Sequence, residues 1–329
     1  MFLEHVRIAE DLGFHAFFHN DKKWAREPHG RLGAAAAVSS RIGLGISVVD
    51  PYTRHPAVTA QASATLAEMA PGRFTLVMGA GSHFETLPGY SVHKPVVAIR
   101  EATDLLRRLW AGEEVTINGE VVQFQAGRLD FEPTSIPQIW VAGRGPKVLT
   151  LAGEVGDGVL VGSFASPSGI EYARRHVGEG LALGGRSWAD IELASWLYVG
   201  LLKRRDDPVP EAMRTGISFA FWSSRNALMG VADELGWDLT AEFRAFVRDA
   251  PRSWAPEVMA GLRRVIPKGL LASLAVVGTA EQVLERLGAL EGAGVQQAVI
   301  WPFPAEGTTV KDFIVELGTS VVPRLSAAS

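Results

Sequence analysis

The chain has 329 residues, of which 47% are hydrophobic and 21% are charged, and its formal net charge of -4 gives no general attraction to nucleic acid or to an anionic membrane. It contains no cysteine, which excludes disulfides, thiolate nucleophiles and cysteine-ligated metal sites. The longest apolar runs are much shorter than the roughly 18 residues of a spanning helix, and the N-terminus lacks the apolar core of a signal peptide, so we expect a cytoplasmic protein without a membrane span.

Helix-like and strand-like segments alternate along the chain, which predicts parallel strands joined by crossover helices. The length fits one α/β domain over residues 1–329, built on a barrel of about 250 residues with insertions. The predicted helices lie near residues 2–12, 30–39, 57–69, 95–111, 146–154, 168–183 and 280–293. The predicted strands lie near residues 14–19, 42–49, 74–79, 137–142, 158–163, 191–202 and 295–301. No strand precedes the first helix, so we expect a barrel that lacks its first strand or begins upstream of Met1.

Two segments depart from simple alternation. Residues 114–125 read as a hairpin on the surface, in which Asn118 and Gly119 offer the positive φ angles of a tight primed turn. Residues 205–268 form an irregular helical insertion that contains several tryptophans. The aromatic residues there suggest either an apolar substrate pocket or ordinary core packing, and they are Phe219, Phe221, Trp222 and Trp254.

The segment from Ile46 to Pro56 stops a strand, makes a turn and starts a helix. The preceding run from Arg41 to Val49 is apolar and β-branched enough for a strand that is buried on both faces. Asp50 and Pro51 end that strand, and Pro56 suits the first turn of a helix because its missing N–H needs no partner there. The polar residues of the turn therefore lie at the carboxyl end of a strand, where α/β proteins bind ligands.

Three further strand ends carry candidate binding residues. The segment Gly79, Ala80, Gly81 and Ser82 lets backbone approach a flat ring or a phosphate, and Ser82 adds a hydroxyl donor; tight packing is the alternative explanation. The segment Gly143, Arg144 and Gly145 opens a helix whose free N–H groups form an anion site. Arg144 either adds a charge to that site or is a solvated surface charge, and Lys147 is expected to be solvated. Gly162 and Ser163 follow the next strand and would close the same site from the side.

Asn20, Asp21 and Lys22 lie at the carboxyl end of the predicted strand near residues 14–19. Asp21 can accept a hydrogen bond from a ring system or a substrate, and Lys22 can offer a cation to an anion. The alternative is a solvated turn with both lysines, at positions 22 and 23, in water. Trp24 either walls a substrate pocket or anchors the loop by burial. The histidines are not spaced as metal ligands, so no metal site is expected.

Four segments resemble the bacterial-luciferase-like superfamily, and most closely its deazaflavin branch, methylenetetrahydromethanopterin reductase and its relatives. These segments are Asp50–Pro56, Ala67–Gly81, Pro137–Lys147 and Ala152–Gly158. The resemblance implies a TIM-type (β/α)8 barrel with an insertion, which holds coenzyme F420 or FMN at the carboxyl ends of its strands. It also implies a strand before the first helix, which agrees with the expectation that the first barrel strand is missing from this sequence. A homodimer is implied as well.

The resemblance extends to single residues. Ser47 and Val48 match the place where the family has a bulge with a non-prolyl cis peptide behind the flavin ring; the alternative is an ordinary buried strand end. Asp21 matches a family aspartate, and Lys22 stands where relatives commonly have histidine. The other residues that the resemblance places at the cofactor are Gly79, Ala80, Gly81, Ser82, Gly143, Arg144, Gly145, Gly162 and Ser163.

The implied activity is hydride transfer between C5 of the deazaflavin and a small organic substrate that lies over its exposed face. The cofactor supplies the reactivity, and the protein supplies orientation and exclusion of water. With FMN, the same scaffold would be a luciferase-like monooxygenase. If the first strand is truly absent, a cofactor-free binding or partner subunit is a further alternative.

Overall fold

The computed structural model describes residues 1–81, 87–251 and 253–326. The chain divides into two compact units. The first comprises Met1–Leu160 and His176–Glu192, and the second comprises Val161–Arg175 and the residues from Leu193 onward. Organisation as one domain over the whole length stays a prediction.

The first unit holds most of the predicted alternation of helices and strands. Its elements are α1 (Phe2–Asp11), β1 (Ala16–His19), α2 (Pro28–Ala36), β2 (Gly43–Val49), α3 (Pro56–Met69), β3 (Phe74–Met78), α4 (Pro95–Trp110), β4 (Val115–Asn118), β5 (Gln123–Gly127), β6 (Gln138–Gly143) and α5 (Pro146–Val155). The strand β7 (Gly158–Gly162) and the helix α6 (Pro167–Leu183) run across the division between the units. Prolines begin five of these helices, as expected for a residue that has no N–H to leave unpaired.

The second unit combines strands with the predicted helical insertion. Its elements are β8 (Glu192–Leu201), α7 (Glu211–Ser223), α8 (Arg225–Glu234), α9 (Ala241–Asp249), α10 (Pro256–Val265), α11 (Lys268–Leu274), β9 (Ala275–Gly278), α12 (Ala280–Gly292), β10 (Gln297–Phe303), α13 (Val310–Ser320) and α14 (Val322–Ser326). The strand β9 was not predicted from the sequence. It pairs in parallel with the end of β8, from Tyr198 to Leu201, and β10 pairs in parallel with β8 as well.

The strands β1, β2, β3 and β6 pair in parallel in that order, and β7 is the next strand in the sheet. The fold class is α/β, as predicted, with helices between successive strands. The first element is α1, and β1 stands at the end of the strand order with β2 as its neighbour. The strand β2 is buried along most of its length, as its continuous apolar sequence predicts.

The hairpin of β4 and β5 is present and antiparallel, but the predicted tight turn is wrong. Asn118 is opposite Gln123, so four residues form the loop. The reason is Glu101 on α4, whose carboxylate accepts the N–H groups of Glu120, Val121 and Val122 at 2.7, 3.0 and 2.8 Å. A carboxylate from a distant helix therefore fixes this loop.

Among the described helices, none combines the length and the hydrophobicity that a membrane crossing requires.

Candidate active site

The structure brings the predicted residues of the first unit to one edge of its sheet. Strands β1, β2, β3 and β6 are parallel neighbours, so their carboxyl ends lie on the same side. The predicted residues at these ends are Asp21 and Lys22 after β1, Ser47 and Val48 in β2, Gly79, Ala80 and Gly81 after β3, and Gly143, Arg144 and Gly145 at the end of β6. Ser82, also predicted, lies outside the described residues.

The strand β2 contains the bulge that the family resemblance implies. The peptide bond between Ser47 and Val48 is cis, and the register between β2 and β3 shifts between Ser47 and Val49. The Ser47 hydroxyl is buried and has no hydrogen-bond partner among the described residues. A Cβ at Gly79 would lie 2.5 Å from Cγ1 of Val48, so the absence of a side chain at residue 79 makes room for Val48.

Asp50 organises the turn that follows β2. Its Oδ1 accepts the N–H groups of Tyr52 at 2.9 Å and Thr53 at 2.8 Å, while its Oδ2 accepts the Thr53 hydroxyl at 2.9 Å. Lys23 donates to the same Oδ2. The Asp50 side chain is fully buried, and a Cβ at Gly81, which has a φ of 69°, would lie 2.7 Å from the Cβ of Asp50. The carboxylate thus receives a cation and several hydrogen bonds, as a buried charge requires.

The residues after β1 differ from the solvated turn considered as their alternative. Lys23 is only 11% exposed and forms an ion pair with Asp50, so it does not lie in water. The pair joins the segment after β1 to the turn after β2, two segments that are 27 residues apart in sequence. Lys22 is exposed, and its catalytic role stays a prediction. Trp24 is 71% exposed, so of its two alternatives the buried loop anchor is wrong, and the role in a pocket wall stays a prediction.

Two side chains of the turn after β2 fix its position. The Tyr52 hydroxyl donates to the His93 carbonyl at 2.7 Å, and burial raises the pKa of Tyr52 to about 12, so the phenol stays protonated. In His55, Nδ1 accepts the N–H of Ala57 at 3.1 Å and caps α3. The other nitrogen, Nε2, therefore carries the hydrogen and donates to the Gln123 carbonyl at 2.8 Å. The hairpin is thus tied to the turn.

Asp21 is partly buried at the end of β1. Burial raises the pKa of its carboxyl group, and the positive charges of Lys23 and Arg54 oppose that shift. The Asp21 side chain makes no hydrogen bond within the described part of the chain. A carboxyl group with a raised pKa at a strand end is suited to exchange a proton.

A second polar cluster, which the sequence analysis missed, lies at the start of α2. Glu27 is the N-cap residue, and its Oε2 accepts the N–H of Gly30 at 2.8 Å. Its Oε1 contacts Nδ1 of His29 at 2.7 Å and Nη2 of Arg54 at 3.1 Å. Burial raises the pKa of Glu27, but the hydrogen bonds from Gly30 and His29 outweigh it and lower the pKa to about 2. The local sequence signal for this N-cap is the pair Glu27 and Pro28, because proline favours the first turn of a helix.

The start of α5 has the form of the predicted anion site. Its N-cap is Gly145, which provides no side-chain cap, and Pro146 follows at the first helical position. The first-turn N–H groups therefore lack a side-chain acceptor, and the helix dipole is positive at this end. Arg144 is partly buried, whereas Lys147 is exposed as expected. A Cβ at Gly143 would lie 2.6 Å from Cγ1 of Val148, so packing alone already requires glycine at residue 143.

The remaining predicted residues belong to the second unit. Gly162 ends β7, and Ser163 is fully buried with a φ of 63°. The Ser163 N–H donates to the Trp196 carbonyl at 2.8 Å, so it is already used within the protein. Contact of Gly162 and Ser163 with a cofactor stays a prediction. Trp196 stacks on Trp301 with 5.6 Å between ring centroids, and the Trp196 indole nitrogen is buried without a hydrogen-bond partner among the described residues.

The aromatic residues of the helical insertion divide into core and partly exposed groups. Phe221 and Trp222 are buried, and the Trp222 indole donates to the Ser253 carbonyl at 2.9 Å, so both belong to the core. Phe219 and Trp254 are partly exposed and stack with 4.2 Å between their ring centroids. Their role in holding an apolar substrate stays a prediction. No cluster of three or more metal-ligating side chains occurs within the described residues.

The chain is similar to proteins of known activity over nearly its whole length. It is 31% identical over 325 residues to the 5,10-methylenetetrahydromethanopterin reductase of Archaeoglobus fulgidus, an alignment that covers 98% of this chain and 94% of that protein. It is 37% identical over 206 residues to the F420-dependent glucose-6-phosphate dehydrogenase of Beutenbergia cavernae, covering 58% of this chain and 61% of that protein.

The fold is that of a solved structure, the coenzyme F420 dependent tetrahydromethanopterin reductase from Methanopyrus kandleri. The TM-score is 0.79 at 24% sequence identity, with 98% of this chain and 94% of that chain covered. The family model for luciferase-like monooxygenases matches residues 1–297. With nine-tenths of its length matched by that model, the chain belongs to the luciferase-like monooxygenase family.

Proposed function

We propose that this protein is an F420-dependent oxidoreductase that transfers a hydride between C5 of the deazaflavin and a small organic substrate. The observation that carries the proposal is the set of candidate residues at the carboxyl ends of the parallel strands β1, β2, β3 and β6, together with the buried Ser47 hydroxyl in the bulge of β2. The F420-dependent dehydrogenase and the methylenetetrahydromethanopterin reductase among its relatives support the same assignment.

The residues at this edge fit a flat, polar cofactor with an anionic tail. The buried Ser47 hydroxyl, which lacks a partner among the described residues, offers a donor or acceptor to a ring with polar edges. The spaces beside Gly79 and Gly81 are taken by Val48 and Asp50, so the candidate for contact with a ring in this segment is Ala80, whose side chain is a methyl group. At the start of α5, Pro146 has no N–H and the N–H of Val148 donates to the Gly145 carbonyl, so the N–H of Lys147 is the candidate donor to a phosphate, and Arg144 adds positive charge.

When bound, the deazaflavin supplies the carbon that accepts or donates the hydride. The protein residues bind and orient the two reactants and exclude water from them. Asp21 is the candidate for accepting a hydrogen bond from the ring system or the substrate, and burial raises the pKa of its carboxyl group. Lys22, which is exposed, is the candidate for attracting an anionic group of a substrate.

A second candidate function is an FMN-dependent monooxygenase. The description of the family model as luciferase-like monooxygenase supports it, because the same scaffold would then hold FMN. The choice of cofactor therefore decides the class of reaction. A cofactor-free partner subunit is the remaining alternative.

The cofactor is identified by titrating the purified protein with F420 and with FMN and following the quenching of its tryptophan fluorescence; the chain has nine tryptophans. We expect saturable quenching by F420 and none by FMN. Tight binding of FMN without F420 would replace the proposal by the monooxygenase. Binding of neither would favour the partner subunit.

We also propose a homodimer in the cytoplasm, on the basis of the family resemblance. Light scattering coupled to size-exclusion chromatography should give a mass of about twice the 35.4 kDa of the chain.

A further inference from the structure

We propose that His29, oriented by Glu27, exchanges the proton that accompanies hydride transfer in this enzyme. The inference rests on the proposed oxidoreductase function and assigns to it a residue outside the family motifs. His29 lies in the first turn of α2, two residues after the N-cap Glu27.

The Glu27 carboxylate holds the His29 ring in one orientation. Its Oε1 lies 2.7 Å from Nδ1 of His29, while the N–H of Gly30 and the guanidinium of Arg54 bind the same carboxylate at 2.8 and 3.1 Å. Three contacts therefore restrain Glu27, and the ring that it binds has little freedom. This arrangement of a carboxylate and a histidine is the one by which enzymes fix a catalytic imidazole.

The pairing also fixes the tautomer. The hydrogen bonds that lower the pKa of Glu27 to about 2 keep its carboxylate ionised, and an ionised carboxylate only accepts. Nδ1 of His29 must therefore carry the hydrogen. Burial lowers the pKa of His29, and Glu27 opposes that shift, so the ring is neutral near pH 7 and Nε2 presents a lone pair.

The lone pair on Nε2 accepts no hydrogen bond within the described part of the chain. The His29 side chain is 11% exposed, and Nε2 itself is shielded from solvent with no hydrogen-bond partner among the described residues. A buried acceptor without a partner costs about 1–3 kcal/mol, so its presence calls for a ligand group that donates to it.

His29 belongs to the same charged group as the candidate active-site residues. The charges that act on it are those of Glu27, Arg54 and Asp21. Asp21 follows β1, and Arg54, in the turn after β2, contacts the same Oε1 of Glu27 as His29, so the pair of Glu27 and His29 lies beside the carboxyl end of β2. Position 22, where the resemblance implies histidine, is lysine here, and His29 supplies an imidazole from the next helix instead.

The proton transfer and the hydride transfer together account for the two hydrogens that the substrate gains or loses. In the oxidising direction, a substrate hydroxyl gives its proton to Nε2 of His29, and the adjacent C–H electron pair leaves with its hydrogen as hydride for the deazaflavin. The carbon becomes a carbonyl, and His29 then releases its proton to water. In the reducing direction, protonated His29 returns the proton to the carbonyl oxygen as the hydride arrives.

The test uses nitrogen-15 NMR of histidine-labelled protein, first alone and then with F420. His176 is a matched control, because its Nδ1 also contacts a carboxylate, that of Glu179 at 3.0 Å, and its side chain is 13% exposed. The resonances of each ring are assigned by their loss in His29→Gln and His176→Gln. We expect an unprotonated Nε2 for His29 at neutral pH, and a shift of this resonance, but not of that of His176, when F420 is added.

Two variants separate proton exchange from a structural role. In Glu27→Gln, the His29 pKa should fall, because the hydrogen bond that Nδ1 donates to the Glu27 carboxylate raises it, and the ring hydrogen should no longer be confined to Nδ1. F420 should bind to Glu27→Gln and His29→Gln within about twofold of the wild-type affinity. For any alcohol that the wild type oxidises, His29→Gln should lower kcat about 100-fold or more, and His176→Gln should not.

The outcomes distinguish this inference from the proposed function. An Nε2–H tautomer in the wild type, or F420 binding that leaves the His29 resonance unmoved, overturns the role of His29 and leaves the F420 assignment intact. Failure of the wild type to bind F420 overturns both.

Discussion

Val48 and Gly79 face each other across β2 and β3 so closely that a Cβ at residue 79 would lie 2.5 Å from Cγ1 of Val48. Carbon atoms prefer about 3.5–4.0 Å, so even a methyl group at residue 79 would displace the Val48 side chain. The same hypothetical Cβ would lie 3.5 Å from the Ala142 carbonyl of β6. The bulge in β2 therefore depends on the absence of a side chain at residue 79, directly after β3.

Gly79→Ala should destabilise the protein by about 1–3 kcal/mol through overpacking, and it should weaken F420 binding at least tenfold by moving the bulge. Urea unfolding and fluorescence titration measure the two effects. Gly288→Ala is the control, because a Cβ there meets nothing within 4 Å and alanine favours a helix. Unchanged F420 affinity in Gly79→Ala would show that the cofactor does not rest on this bulge.

The ion pair of Lys23 with Asp50 should show strong energetic coupling. Removing one partner of a buried pair costs about 3–5 kcal/mol, since the other charge is left buried alone. We expect Asp50→Asn and Lys23→Met each to lower the free energy of unfolding. The loss in the double variant should be about 1–3 kcal/mol smaller than the sum of the two single losses. Urea unfolding of the four proteins of this cycle measures the coupling. Additive losses would mean that the pair contributes nothing beyond its separate contacts.

Glu27 should contribute to the acid dependence of stability. The pKa of Glu27 is lowered from 4.5 to about 2 in the folded protein. Its ionised carboxylate therefore contributes fully to the free energy of unfolding above about pH 4.5, and this contribution is lost as the pH falls towards about 2. Because the side chain is half exposed, solvent screening reduces this contribution to about 1 kcal/mol. The stability difference between wild type and Glu27→Gln should therefore shrink by about that amount between pH 6 and pH 2.

Urea unfolding at several pH values checks this difference. Glu242→Gln, at an exposed glutamate in the first turn of α9, is the control and should show no comparable change. A constant gap between wild type and Glu27→Gln would contradict the assignment of ionised Glu27 to the folded state.

Arg144 and Lys147 should differ in their effect on F420 binding. Arg144 is partly buried before the open start of α5, whereas Lys147 points to solvent in the first turn. Arg144→Gln should lower F420 affinity about tenfold or more, because a charge-assisted contact to an anion contributes about 1.5–3 kcal/mol. Lys147→Gln should change it less than about threefold, as a solvated charge does.

Titrations at low and high salt measure both variants, and Arg144→Gln should reduce the salt dependence. Equal losses in the two variants would indicate a diffuse positive field rather than a contact at Arg144.

Glu101 should control the order of the hairpin loop. Burial raises the pKa of Glu101, but its hydrogen bonds with Val122, Glu120 and Val121 outweigh it and lower the pKa. Glu101→Gln keeps the size of the side chain and weakens these charge-assisted bonds, so hydrogen exchange at residues 120–122 should accelerate about tenfold, equivalent to about 1.4 kcal/mol. Glu114→Gln, at an exposed residue just before β4, serves as the control. Unchanged exchange in Glu101→Gln would show that the loop is held by other contacts.

Much of the first unit follows from local sequence signals. The strands at residues 43–49, 74–78 and 138–143 and the helices that follow them lie within a few residues of their predicted positions. Proline at a helix start and apolar runs in buried strands act over a few residues, so they can be recognised without the fold. The short strand β9 was missed, because its four residues carry no period long enough to detect.

Some contacts in the candidate site cannot be predicted from local sequence signals. Sequence resemblance indicated the bulge at Ser47 and Val48, and the alternation of strands and helices indicated that several strand ends meet at one edge. Neither indicated that Lys23 would be buried against Asp50, since the residues around a lysine do not show whether its side chain is buried or exposed.

The α/β class, the family and the strand ends that carry the candidate residues can be recognised from the sequence, because period, prolines and glycines act over short stretches of chain. Which polar groups meet at these ends depends on long-range packing. The pairs of Lys23 with Asp50 and Arg54 with Glu27 each join residues 27 positions apart. The lone pair on Nε2 of His29 became recognisable only after folding had shielded it from water, since an unsatisfied group is defined by its surroundings and not by its residue type.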